Sequence, residues 1–204
     1  MFNFITRHQF ILITAFISEF SLSEVCAQRI SFLSFEAGNA VTAFPITGSP
    51  RLFYANFHPF ITVGAGLTWS EKNRHAWEQS FNMGYIYHRF VQHSIPLYTE
   101  TIYRLNTGKN FSLGVHLGLG YLHSVPATDR FELNADGEYE KINNLGRAQG
   151  MAKLSFSGRY ALNNDWRLTL NYGVLMQGPF VKSYVPLLPY NTIQLGIQKS
   201  LIRK

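Results

Sequence analysis

Cysteine is nearly absent from this chain: its 204 residues include one, Cys26. That residue falls in a leader segment, so beyond it neither a disulfide framework nor thiol chemistry is open to the protein. Also missing is an apolar run of the roughly 18 or more residues that a membrane-spanning helix needs. The run from Phe10 to Ile17 is too short, and Glu19 blocks its continuation. There is no phosphate-cradling glycine loop, because the glycines are scattered over strand-like faces. Metal-ligand geometry is poor as well: His88 and His93 lie five residues apart and have opposite parity in a strand. The chain is basic, with a formal charge of +6, but no nucleic-acid motif accompanies that balance.

The leader itself is legible. Arg7 and His8 precede the apolar run and the small-residue sequence Val25-Cys26-Ala27 comes after it, which reads as a secretory signal peptide over residues 1–27, cleaved after Ala27. Export by the general secretory route is the expectation. Ser23-Glu24-Val25 does not make a lipoprotein box before Cys26. Removing the leader takes Arg7, Glu19 and Glu24, which raises the formal charge to +7. An exported basic surface meets acidic lipopolysaccharide first. The mature chain, residues 28–204, is one domain by length, and the sequence is 46% hydrophobic and too rich in aromatics to be disordered.

Residues 110–124, NFSLGVHLGLGYLHS, organise the rest. Read with a period of two, Phe111, Leu113, Val115, Leu117, Leu119 and Tyr121 share one face, and Ser112, Gly114, His116, Gly118, Gly120 and Leu122 share the other. An apolar face capped by aromatics, opposite a small and polar one, suits a strand between lipid and a crowded polar barrel interior. Ten residue steps at about 3.3 Å and a tilt near 40° give a height of roughly 25 Å, that of a bilayer's apolar band. Mean hydropathy near zero fits this pattern, because outward and inward residues cancel over any window.

The same alternation recurs over residues 30–42, 60–69, 77–88, 97–105, 148–162, 166–176 and 191–201. This predicts an all-β fold, an eight-stranded antiparallel up-and-down transmembrane β-barrel. Residues 44–59, 91–96, 125–147 and 177–190 are the expected extracellular connections, alternating with short periplasmic turns. All eight prolines are expected in or at the edges of those four connections, because proline cannot donate to a ladder. Trp69, Trp77, Tyr103, Phe111, Tyr160 and Trp166 have outward parity at the periplasmic strand ends and make a lower aromatic girdle. Tyr87 and Tyr121, joined by aromatics of the outer loops, make the upper one.

Parity points Glu36, Glu78, His88, Glu100, Arg104, His116, Lys153, Arg159 and Arg167 inward, where a narrow interior requires them to be paired or hydrated. Glu100 and Lys153 are expected near mid-height, and Glu78, Arg104, Arg159 and Arg167 lower. His123 and Ser124 sit at the outer rim, where a lipid-modifying hydrolase would keep a base and a nucleophile, but adjacent strand residues point to opposite faces. The loop residues Asn134, Asp136, Glu138 and Glu140 form only a fragment of a calcium-loop pattern. No cofactor is called for.

The segments FYANFHPF, GYIYHRFVQHSIPLY and FVKSYVPLLPY resemble small outer-membrane barrels of Gram-negative bacteria with no assigned function, and the architecture is similar to the outer-membrane protein A and X type. The resemblance implies a porin-like place in the cell envelope, contact with outer-membrane lipid and lipopolysaccharide, and help from barrel-assembly and periplasmic chaperone machinery. It transfers no catalytic residue. The end, QKSLIRK, departs from the terminal aromatic on which such barrels commonly finish. Three functions stay open: a structural, adhesion or interaction role through the outer loops; a lipid A deacylase or acyltransferase using His123 and Ser124; and a soluble carrier with its apolar face turned inward.

Overall fold

The computed structural model describes residues 29–89, 91–134, 137–142, 145–180 and 186–202. The leader expected over residues 1–27 lies outside them. Eight long strands make the wall: β1 (Phe32–Thr42), β2 (Pro59–Lys72), β3 (His75–His88), β4 (Gln92–Asn106), β5 (Phe111–Pro126), β8 (Arg147–Ala161), β9 (Trp166–Gly178) and β10 (Leu188–Ser200). A small hairpin, β6 (Arg130–Leu133) and β7 (Tyr139–Ile142), stands between β5 and β8. Every neighbouring pair is antiparallel, and β1 closes on β10 from Phe32 opposite Ser200 to Thr42 opposite Tyr190. The fold is an all-β, closed, eight-stranded up-and-down barrel of the transmembrane type, and closure leaves its wall no free edge.

Alternation places the side chains. Phe35, Val63, Phe81, Leu97, Leu117, Leu154, Leu170 and Leu195, one from each wall strand, are exposed on the exterior as a continuous apolar belt. An apolar surface of that extent fits hydrocarbon rather than water. At one end, which holds the hairpin turns and the described start and end of the wall, Trp69, Trp77, Phe111, Tyr160 and Trp166 are exposed outside the belt. Tyr103 tilts against Trp77 at 5.1 Å between ring centroids. Trp69 is the extra residue of a bulge between Thr68 and Ser70, so it has no partner on β3.

Local chemistry closes the turns at that end. Asn73 takes φ +50° between Lys72 and His75, a conformation asparagine tolerates better than most residues. Asn163 Oδ1 accepts the N–H groups of Asp165 at 2.9 Å and Trp166 at 2.8 Å, fixing the β8–β9 turn. At the opposite, loop end, residues 43–58 fold over the barrel and include a single helical turn, α1 (Arg51–Tyr54), which the sequence does not announce. Its four residues carry no periodicity long enough to detect.

Two expectations are corrected. Residues 91–96 are not a connection: β4 begins at Gln92, and the link from β3 is only residues 89–91. Pro96 therefore lies inside a strand, and the expectation that every proline sits in or beside a connection fails there. The ladder to β3 is interrupted beside it, between Met83 opposite Leu97 and Ile86 opposite Ser94, where Pro96 has no N–H to give. Gly84 makes room, since a Cβ there would lie 3.1 Å from Pro96 Cγ and 2.9 Å from Phe60. Pro59, Pro126 and Pro189 are at strand ends, where a missing donor is tolerated.

The second correction concerns the interior, expected to be crowded and mostly small or polar. Its loop-end half is an apolar plug of Phe60, Ile86, Leu122, Leu175 and Tyr190, each at most 1% exposed, with Ala40, Tyr98 and Met151 against them. Most strands give this layer a single apolar side chain, which the polar average of each inward face conceals.

Candidate functional site

The lumen is layered from the turn end upward. At the mouth, Glu78 on β3 is a two-sided clamp: Arg104 on β4 donates through Nε to Oε1 at 2.8 Å, and Arg159 on β8 donates through Nη1 to Oε2 at 2.7 Å. Arg104 also reaches Glu71 at 3.2 Å and Asn106 Oδ1 at 2.6 Å. Charges buried in this way must be paired by carboxylates presented from facing strands. Arg167 lines the same mouth but is brought to no carboxylate among the described residues. Glu36, on β1, accepts from Asn171 Nδ2 at 2.7 Å and Thr169 at 3.3 Å.

At mid-height Lys153 on β8 meets Glu100 on β4 at 3.0 Å and Tyr98 Oη at 3.3 Å. His116 on β5 lies between Glu100 Oε2, 3.5 Å from Nδ1, and Ser157 Oγ, 2.8 Å from Nε2. That is a serine, histidine and carboxylate in relay order, with Nδ1–H facing the carboxylate and Nε2 accepting from the hydroxyl. Nothing in the sequence marks Ser157 as a site residue. His116 and Ser157 are 41 positions apart, and the diagonal between β5 and β8 exists only once the β6–β7 excursion is set aside. All three residues are at most 5% exposed, and none lines a described cavity.

Above the apolar plug a glutamine clamp closes the loop end. Gln177 donates to Gln149 Oε1 at 2.6 Å, Ser124 Oγ donates to the same oxygen at 2.7 Å, and Gln92 donates to Gln177 Oε1 at 2.8 Å. Amides suit this position, because each both donates and accepts and so links strands without a buried charge. Ser124 is thus a structural inward residue. His123, on the other face, accepts from Tyr121 Oη at 2.8 Å and donates through Nε2 to Leu145 O at 2.8 Å. The rim pair forms no dyad.

His88 lies at the loop end of β3, stacked on His58 with ring centroids 3.9 Å apart. Burial, and then the His88 ring beside it, hold the His58 imidazole below its ordinary pKa. His58 N–H donates to Asn39 Oδ1 at 2.8 Å, while Asn39 Nδ2 donates to Leu52 O at 3.0 Å and Asn191 Nδ2 to Phe44 O at 2.9 Å. With Leu52 buried, these bonds fix the loop of residues 43–58, which nonetheless leaves Phe44, Ile46, Phe53, Tyr54 and Phe57 exposed, Phe53 to 80%. The β6–β7 hairpin exposes Phe131, Leu133 and Tyr139 in the same way. At its tip Asn134 Oδ1 accepts from Glu138 N–H at 2.9 Å, and no group of three metal-binding side chains occurs among the described residues. Asp136, a member of the calcium-loop fragment, lies outside them.

No family model and no curated protein matches the chain. Among solved structures, that of neisserial surface protein A (NspA) is similar with a TM-score of 0.56 at 12% identity, over 83% of this chain and 96% of that one. The outer membrane enzyme PagL gives 0.48 at 11% identity, over 82% and 98%. Ail, the attachment invasion locus protein of Yersinia pestis, gives 0.43 at 10%, over 85% and 100%. The fold is that of small eight-stranded outer-membrane β-barrels, and at these identities only the fold is shared.

Proposed function

We propose that the chain is an integral outer-membrane protein, exported by the general secretory route, inserted with barrel-assembly and periplasmic chaperone machinery, and surrounded by outer-membrane lipid and lipopolysaccharide. Its barrel is a rigid stand, and its outer loops act by contact, in a structural, adhesion or interaction role. The observation that carries this reading is a filled lumen beneath a firmly bonded loop that keeps aromatic side chains exposed. Holding Phe44, Phe53, Tyr54 and Phe57 exposed forgoes hydrophobic stabilisation, and a partner that covers them accounts for the arrangement. With both termini of the wall in the periplasm, that loop faces outward from the cell.

A hydrolase is the second reading, favoured by the order Ser157, His116, Glu100. Against it stand the burial of all three and the ion pair that already engages Glu100. A soluble carrier has less support, since the apolar face is the exterior and the interior is occupied by side chains.

The test replaces Phe53, Tyr54 and Phe57 together with serine and measures attachment of expressing cells to protein-coated and hydrophobic surfaces. The expected variant inserts normally and loses attachment. Unchanged attachment contradicts the reading, and covalent labelling of Ser157 by a fluorophosphonate in the folded barrel favours the hydrolase instead.

A further inference from the structure

We infer that the turn-end mouth of the barrel is a binding site for a phosphate group, centred on Arg167. The cavity there measures about 670 Å³ and opens between the β4–β5 and β8–β9 turns. Two of the guanidinium groups at the mouth are accounted for: Arg104 and Arg159 engage both oxygens of Glu78, and Arg104 reaches Glu71. Arg167, the second residue of β9, is half-buried on the cavity wall with no carboxylate at ion-pair distance among the described residues. Lys109, at the tip of the β4–β5 turn, lines the same space and is likewise in no described ion pair. Asp165 is the remaining carboxylate on the wall, and over this cavity and the one adjoining it five cations, Arg74, Arg104, Lys109, Arg159 and Arg167, face the three carboxylates Glu71, Glu78 and Asp165.

A guanidinium withdrawn from bulk water beside two others is stabilised by any anion that reaches it. The donors indicate which anion. Arg167 offers a planar fork and Lys109 a point charge from another side. The amide of Asn163 has its oxygen committed to the turn, which leaves its NH₂ to donate. Donors arriving from several directions match the three or four oxygens of a phosphate better than the two of a carboxylate. The phosphate has two available sources: a soluble phosphate or phosphate ester, or the headgroup of a phospholipid in the leaflet around the mouth. This site faces away from the aromatic loop and does not depend on what that loop contacts.

The test uses the full mature barrel folded in maltoside micelles, which contain no phosphate. Its heat-unfolding midpoint is followed by loss of the folded electrophoretic band, with ionic strength held constant by sodium chloride. Inorganic phosphate is titrated in one arm and phosphatidylglycerol, doped into the micelles, in the other. A saturable rise in either arm supports the site and identifies the source, provided that Arg167→Gln removes it and Lys109→Gln weakens it about tenfold. No saturable rise in either arm, or an equal rise in Arg167→Gln, overturns the proposal. Should Arg167→Gln fail to fold, Arg167→Lys replaces it: it keeps the charge, loses the fork and is expected to bind more weakly, and an unchanged affinity overturns the site.

Discussion

The two halves of the lumen solve the same problem with opposite chemistry. In the turn-end half, strands present charges, and carboxylates are shared: Glu78 serves two arginines and Glu100 serves Lys153 and His116. In the loop-end half, Phe60, Ile86, Leu122, Leu175 and Tyr190 fill the space, and uncharged amides finish it. These charges are almost fully buried and are held by pairing with shared carboxylates, while apolar volume is placed where the barrel must be sealed beneath its working loops. The difference teaches that an inward-facing position in a small barrel is not by itself a polar one.

The largest expected effect comes from the charged half. Glu78→Ala leaves Arg104 and Arg159 facing each other without their shared carboxylate, and removing one partner of a buried pair costs about 3–5 kcal/mol. Denaturant unfolding in micelles measures it. Glu78→Gln, which keeps the shape, is expected to lose less. Next is the apolar half: Leu122→Ala opens a void at a fully buried position and costs about 2–4 kcal/mol. The double variant Leu122→Ala, Leu175→Ala is expected to convert a silent barrel into one with measurable ion conductance in a planar bilayer, whereas loss of Glu78 alone is not. If both substitutions conduct equally, the division of the lumen into a charged half and a sealing apolar half is wrong.

A smaller effect separates the clamp from the plug. Gln177→Ala leaves partners on Gln92 and Gln149 unsatisfied, at about 1–3 kcal/mol, without opening a path, because the plug lies beneath it. The smallest is a pH effect at the rim. The lowered pKa of His58 favours its neutral form in the folded loop, so the unfolded loop takes up a proton first as pH falls below about 6.5. Anchoring of residues 43–58 is therefore full above that pH and declines under acid, with Arg51, Tyr54 and His88 the titratable or charged groups on the small cavity beside the ring. The protection factor of His58 N–H, the intrinsic exchange rate divided by the observed rate at the same pH, is expected to be smaller at pH 5 than at pH 7.5, and His58→Asn to remove the difference.

Legibility in the sequence obeys the same division. A wall with hydrocarbon on one side and a crowded core on the other enforces a period of two at almost every residue, so strands, faces and the aromatic ring near Trp77 and Trp166 are directly readable. Features that depend on several strands at once are hidden. Phe60 or Leu175 alone looks like an exception in a polar face, and only closure gathers them into a layer. Pro96 reads as part of a connection because proline opposes strands, and nothing local announces that Gly84 is beside it to take its ring. Ser157 joins His116 only through the β5–β8 neighbourhood, which a 20-residue excursion disguises.

One measurement tests the central claim most directly: electrophoresis of the outer-membrane fraction of expressing cells, with and without boiling in detergent. A closed barrel with a hydrocarbon-facing exterior predicts the protein in that fraction, with a folded band that changes mobility on heating. A protein that remains in the aqueous fraction with the same mobility in both samples would contradict it.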